Sequence, residues 1–252
     1  VGVVLNESLD LGLSRITGSG HSAVYLSRVC AASPTELRLC SSGEEGSVIS
    51  TYSNFGFGTN HDFEWIVVPL GVFLYGVEEH RNRPLIASAK IKQVLEEEYR
   101  RRFLTAYCDG PPCATSSNGL WRAMVGMAMY RTIYIFMTAT SVEQDRDFIA
   151  KFNARTNKNR FNFFTRNCAD FTRNVINTFF PGATQRNCLN DFGMTSPKSI
   201  ARSFAKYARR DPDSRYRVLR FSQIPGTIKR SKDTRAGTEQ LFRSKKLLAP
   251  LL

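Results

Sequence analysis

The hydrophobic pattern of this 252-residue chain changes period at Pro84, and that change restricts the folds open to it. Before it, "HSAVYLSRV" sets His21, Ala23, Tyr25 and Ser27 on one side and Ser22, Val24, Leu26 and Arg28 on the other, as a strand does. "GSVISTYS" from Gly46 and "FEWIVVPL" from Phe63 read likewise, and the turn-rich "AASPTELRLCSSGEEG" between the first two predicts adjacent antiparallel strands. After Pro84, Ile91, Leu95, Tyr99 and Phe103 recur every four residues among Glu and Arg, which predicts an amphipathic helix of about twenty residues ended by "CDGPPCATSSNG". "TIYIFMTAT" from Thr132 predicts a strand, and "SVEQ" at Ser141 a capping box for a helix to about Asn153. Ser196 with Pro197 starts a further helix, "YRVLRFSQI" reads as a last strand, and the polar, basic residues beyond Pro225 predict a flexible end. Strands and helices in these separate runs specify an α+β chain.

An apolar fraction of 42% and a charged fraction of 23% are those of a globular protein with a substantial core. The most apolar stretch, "WIVVPLGVFLYGV" from Trp65, contains Pro69 and Gly71 and meets Glu78 after about thirteen residues, short of the roughly twenty that span a bilayer. The opening "VGVVLNES" shows no basic start followed by a long apolar run, so any export signal is expected to have been removed. Six cysteines suit an exported protein, with Cys30–Cys40 and Cys108–Cys113 close enough in sequence to pair; buried free thiols are the alternative.

"FNFFTRNCADFTRNVINTFF" passes from a strand-like run into a helix from about Cys168 to Phe179, stopped by Pro181 and Gly182. Cys168, Phe171, Val175 and Phe179 fall on one helical face, so the cysteine points inward from the helix start, where unpaired backbone N–H groups favour a thiolate. Asn167 and Asp170 are the residues that organise such a start, by capping and by complementing the dipole. The carboxylate of Asp170 also offsets part of the field that favours the thiolate. No C-x-x-C or H-x-x-x-H spacing, phosphate-binding glycine loop or serine elbow is present, so neither a metal nor another cofactor is expected. Thiol chemistry needs a histidine, and of His21, His61 and His80 the first opens a strand, with Gly18 and Gly20 leaving its approach uncrowded.

"GSGHSAVYL" followed far downstream by "RNCADF" resembles the circularly permuted branch of the NlpC-like papain superfamily, where the histidine strand precedes the cysteine helix. Asn167, Cys168 and Phe171 are similar to the Asn-Cys-aromatic pattern of lecithin:retinol acyltransferase-like proteins, and the same features resemble the Lnb-type periplasmic lipoprotein N-acyltransferase domain of bacteria. About ten positions within residues 1–190 carry the resemblance. It implies an antiparallel sheet packed on the cysteine helix; the expected organisation is a domain over 1–207 with a helical insertion at about 72–128, followed by a basic, partly flexible extension over 208–252. It implies Cys168 as nucleophile, His21 as general base and acid, and a polar third residue on the next strand. Ser50 stands there in place of a histidine, asparagine or glutamine, with Glu45, His61, Asp62 and Glu64 as rivals. A serine orients an imidazole by one hydrogen bond but stabilises the imidazolium less than a carboxylate does. The Cys168 backbone N–H would form half of an oxyanion hole.

The net charge of +13 is concentrated: from Ser196 onward fifteen Lys and Arg face four Asp and Glu, a surplus of +11. Such a tail suits an anionic membrane or wall surface, or is simply a solvated face; few aromatics interleave with it, which argues against nucleic acid. The expectation is an acyl-transfer enzyme of the bacterial cell envelope, periplasmic or secreted. It would cleave an amide or ester in a peptidoglycan peptide or a lipid or lipoprotein through a Cys168 thioester. The alternative is a catalytically silent papain-like binding module held on anionic surfaces by its tail.

Overall fold

The computed structural model describes residues 1–9, 20–51, 63–103, 124–158, 162, 166–187, 189, 191, 193–236 and 238–239. Eight strands are formed: β1 (Gly2–Asn6), β2 (His21–Leu26), β3 (Val29–Ser33), β4 (Glu36–Leu39), β5 (Ser47–Thr51), β6 (Trp65–Pro69), β7 (Ile133–Met137) and β8 (Arg217–Phe221). Among the described residues there are five α-helices: α1 (Leu70–Tyr75), α2 (Ala89–Phe103), α3 (Val142–Asn153), α4 (Cys168–Phe179) and α5 (Pro197–Ala208). Six strands join in one sheet of order β6-β5-β2-β1-β7-β8, every neighbour antiparallel, while β3 and β4 form a separate hairpin. The fold is α+β.

The sheet separates two cores by the alternation of its strands. Val4, Ala23, Tyr25, Val48 and Ile135 face one side, covered by α1 and the turn at Met127–Met129. Val3, Val24, Leu26, Ile49 and Trp65 face the other, covered by α3, α4 and α5. Of the apolar runs "WIVVPLGVFLYGV" and, from Met124, "MVGMAM", Trp65 and Val67 go to the second core and most other buried side chains to the first, where Val72, Phe73, Leu74, Met124 and Val125 are fully buried. They serve mainly as packing, and Pro69, Leu70 and Gly71 also line the edge of an open cavity.

Local signals place three helices at their expected starts. The Ser141 and Gln144 side chains each meet the other's backbone N–H in a capping box, Asn167 and Asp170 do the same for α4, and the Ser196 hydroxyl accepts from Ser199 N with Pro197 in the first turn of α5. Three features differ from expectation. β1 lies in the middle of the sheet, and because both its faces are buried, "GVVLN" shows no alternation to read. The connection after β2 contains the β3–β4 hairpin. In α2 the buried stripe is Lys92, Glu96, Tyr99 and Arg100, with Ile91 exposed. The row turned inward is offset by one residue, at Lys92, Glu96 and Arg100, while Leu95 and Phe103 are half-buried beside it. Glu96 instead bridges Lys92 at 2.7 Å and Arg100 at 3.2 Å.

The basic extension expected from residue 208 is, as far as it is described, built into the sheet's end. β8 pairs with β7 along its length, Ser8 and Lys232 form a bridge, and Thr234 and Ala236 are buried. Of its charges, Glu239 holds Lys198 at 2.6 Å and Arg202 at 3.0 Å.

A disulfide joins Cys30 and Cys40 across the hairpin, while Cys108 and Cys113 lie outside the described residues. Its sequence separation is 10, and a loop of that size restricts the unfolded chain by about 2–3 kcal/mol. Replacing both cysteines by alanine is expected to lower stability by that amount, measured by urea unfolding with the slope fitted for each form, since the released unfolded chain exposes more surface.

Candidate active site

Cys168 is the first residue of α4, and the strength of the N-cap beneath it explains why the helix begins there. Asn167 Oδ1 accepts from Ala169 N at 2.9 Å and Asp170 N at 3.1 Å, and Asn167 Nδ2 donates to Thr195 O at 3.1 Å. Asp170 is buried and anchors the helix start to the chain before α5: its Oδ1 accepts from Thr195 Oγ1 at 2.7 Å and from Arg186 Nε at 2.9 Å. The Arg186 guanidinium offsets the carboxylate, so Asp170 costs a thiolate at Cys168 less than it would unpaired.

One turn along, Thr172 Oγ1 donates to Ser22 Oγ at 3.2 Å, fixing the face that α4 turns to β2. The half-buried Cys168 thiol meets the Ser22 backbone and hydroxyl and the Ala169 backbone. Burial pushes the thiol up from its ordinary range, opposed by those hydrogen bonds and by the positive charge of Arg131.

His21, the first residue of β2, is buried, and its Nε2 lies 3.1 Å from Ser50 Oγ on β5. The expected histidine and the expected third residue are thus hydrogen-bonded neighbours. Ser50 also reaches Ser22 O at 3.5 Å. Of the rivals, Glu45 meets His80 Nδ1 at 3.1 Å, Glu64 lies 3.7 Å from Arg155, and His61 and Asp62 are outside the described residues. Burial, reinforced by the charge of Arg131, lowers the His21 imidazole to about 3. Gly20 serves the strand rather than clearing an approach: its φ of 72° turns the chain into β2, and a Cβ there would lie 2.3 Å from Asn6 O.

Strand alternation sets His21 on the face of Ala23 and Tyr25, with Ser50 beside it on the face of Val48, whereas Ser22 faces α4. The thiol and the imidazole therefore stand on opposite sides of the start of β2, the thiol against the amide that links His21 to Ser22. No hydrogen bond joins them among the described residues, and the imidazole Nε2 lies against Ser50 Oγ.

Three participants escaped sequence reasoning. Ser22 is adjacent to His21 in "GHSAV", but only packing shows that it touches the thiol. Asn6 is paired with His21 in register and fully buried, and neither end of its amide has a partner among the described residues. Arg131, just before β7, lies within electrostatic reach of both Cys168 and His21. A cavity of about 540 Å³ opens at the other end of β5, lined by Ser47, Glu44, Glu45 and His80, away from Cys168. No described helix is long and apolar enough to cross a membrane. Cys30, Cys40 and Glu44 lie close together, but the two sulfurs are spent on the disulfide. No protein-family model, curated protein or solved structure matches this chain.

Proposed function

We propose that this protein is a thiol-dependent acyl-transfer enzyme on a permuted papain-like domain, with Cys168 as nucleophile, His21 as base and Ser50 as the group that orients it. The observation that supports the reading is that His21, at the start of β2, is hydrogen-bonded to Ser50, while the Cys168 thiol meets Ser22, the next residue of the same strand. A raised thiol and a lowered imidazole form a neutral resting pair. As Sγ attacks the carbonyl carbon its proton passes to His21, the C=O electron pair moves onto oxygen, and collapse expels an amine or alcohol that takes the proton back. Water, an amine or a hydroxyl then attacks the thioester, gives its proton to His21, and restores the thiol as the sulfur leaves. The Cys30–Cys40 disulfide supports an oxidising compartment such as the periplasm or the exterior, where lipid and wall-peptide acyl groups are the available substrates.

The test is the covalent intermediate. Incubation with diacyl phospholipid vesicles, or separately with peptidoglycan stem peptides, is expected to add one acyl mass to Cys168 that hydroxylamine removes. An adduct from vesicles alone assigns lipid as acyl donor, and one from stem peptides alone assigns wall substrates. No adduct from either sinks the enzyme reading.

The neutral pair on opposite sides of β2 favours a second reading, a silent binding module that uses its basic C-terminal part as an anchor. That reading expects no adduct, together with retention on heparin that is lost when the lysines and arginines after residue 208 are reversed in charge.

A further inference from the structure

We infer that Ser22 holds the Cys168 sulfur with two donors, its hydroxyl and its backbone N–H, and that Thr172 turns that hydroxyl's proton toward the sulfur. The inference deepens the thiol reading above and rests on it for its catalytic use. Cys168 and Thr172 are four residues apart on α4 and so share the face that meets β2. Ser22 and Thr172 are both fully buried, and Thr172 Oγ1 donates to Ser22 Oγ at 3.2 Å. A serine hydroxyl carries one proton. With Thr172's proton placed on Ser22 Oγ, Ser22's own must find an acceptor away from water, and one turn back along the same face of α4 stands the Cys168 sulfur.

The backbone reaches the same place by a separate route. β2 pairs with β1 from His21 onward but with β5 only from Val24 to Leu26. Ser22 O accepts from Ser50 Oγ, on β5, at 3.5 Å, and the N–H and C=O of a strand residue point to the same side. The Ser22 N–H therefore also faces β5, where the ladder offers it no carbonyl, and a buried N–H needs a partner. Hydrogen bonds from the Ser22 backbone and hydroxyl are the strongest of the forces that hold the thiol down against burial, ahead of the Ala169 backbone and the charge of Arg131. The other titratable groups nearby make no such bond: Asp170 on α4 is held by Arg186 and Thr195, and His21 on β2 is neutral and bonded to Ser50. Negative charge on the sulfur is thus met chiefly by neutral donors instead of an imidazolium. Ser22 touches the reacting atom, and Thr172 is a positioning residue that acts through it.

The test reads the thiol directly and needs no substrate. Alkylation of Cys168 by iodoacetamide is followed against pH in wild type, Ser22→Ala, Thr172→Val and the double variant, with peptide mapping to assign the modified thiol. Loss of a donor to the thiolate is expected to move the Ser22→Ala profile up by about one pH unit and to slow alkylation about tenfold at pH 7. Thr172→Val is expected to give a smaller shift in the same direction, and the double variant no more than Ser22→Ala alone, because Thr172 acts only through Ser22. A Ser22→Ala profile that overlies wild type, with or without a lowered thermal transition, overturns the inference, as do shifts that add in the double variant. A measurement on wild type covers a variant that fails to fold: the Ser22 amide proton, followed by NMR, should move with the midpoint of the alkylation profile. An amide indifferent to pH there overturns the inference. A shifted profile without any acyl adduct retains Ser22's role and removes the enzyme, whereas an adduct with an unshifted profile keeps the enzyme and removes Ser22's role.

Discussion

Cys168→Ala is expected to abolish acyl release from whichever substrate forms the adduct, and His21→Gln to lower it by about 10²–10⁴, the usual worth of a positioned proton carrier. The double variant is expected to lose no more than Cys168→Ala alone, because a base has nothing to activate once the thiol is gone. The assay is single-turnover release at saturating substrate with each variant's fold checked by its thermal transition. Combined with alkylation, it separates two ways in which a histidine serves a thiol. A histidine that creates the thiolate takes away alkylation and turnover together when replaced. A histidine that only carries the proton takes away turnover alone, and the burial that keeps His21 neutral predicts this second pattern. Ser50→Ala should fall between wild type and His21→Gln, since it frees Nε2 without removing the ring. If His21→Gln turns over at the wild-type rate, the imidazole is a structural partner of Ser50 and the opposite-face placement is the whole of its story.

The parts of this site that were legible in the sequence are those encoded locally. A helix start is written in two or three neighbouring residues, so Asn167 with Asp170, Ser141 with Gln144 and Ser196 with Pro197 could be read before any tertiary contact was known. The order of His21, Ser50 and Cys168 was legible too, because a strand, its neighbour and a helix occur in that sequence. Which side of the strand His21 takes was implicit in the alternation, yet it acquires meaning only once α4 is known to pack on the Ser22 side. Arg131 was illegible for a different reason. One arginine among thirty-five basic residues carries no mark of being left without an anion, since that depends on Glu7 turning to Ser231 across more than two hundred residues of chain. The same holds for Asn6, whose unpaired amide is a fact about three strands at once.

Acid should destabilise this fold sooner than its carboxylates alone would allow. An unfolded histidine titrates near 6.5, whereas the buried His21 resists protonation down to about 3, so below pH 6.5 the unfolded chain binds one more proton than the native one. Stability is therefore undiminished by this group above about pH 6.5 and falls by about 1.4 kcal/mol per pH unit as pH drops toward 3. The lowered carboxylates of Glu44 and Glu239 act in the same direction but only from about 4.5 downward, where their unfolded counterparts begin to take up protons. Between pH 6.5 and 4.5 the share of the decline that belongs to His21, about 2.5 kcal/mol, is read as the difference between wild type and His21→Gln, because the buried Val1 amine, lowered to about 5, also takes up its proton late in the folded state. Urea unfolding across that interval should show a decline that is steeper in wild type than in His21→Gln by that amount. Arg131→Gln should shallow the decline, since the cation is the second cause of the low imidazole. If wild type and His21→Gln decline alike, His21 accepts a proton in the folded state at its ordinary pH, and the site then holds an imidazolium against Ser50 in mild acid.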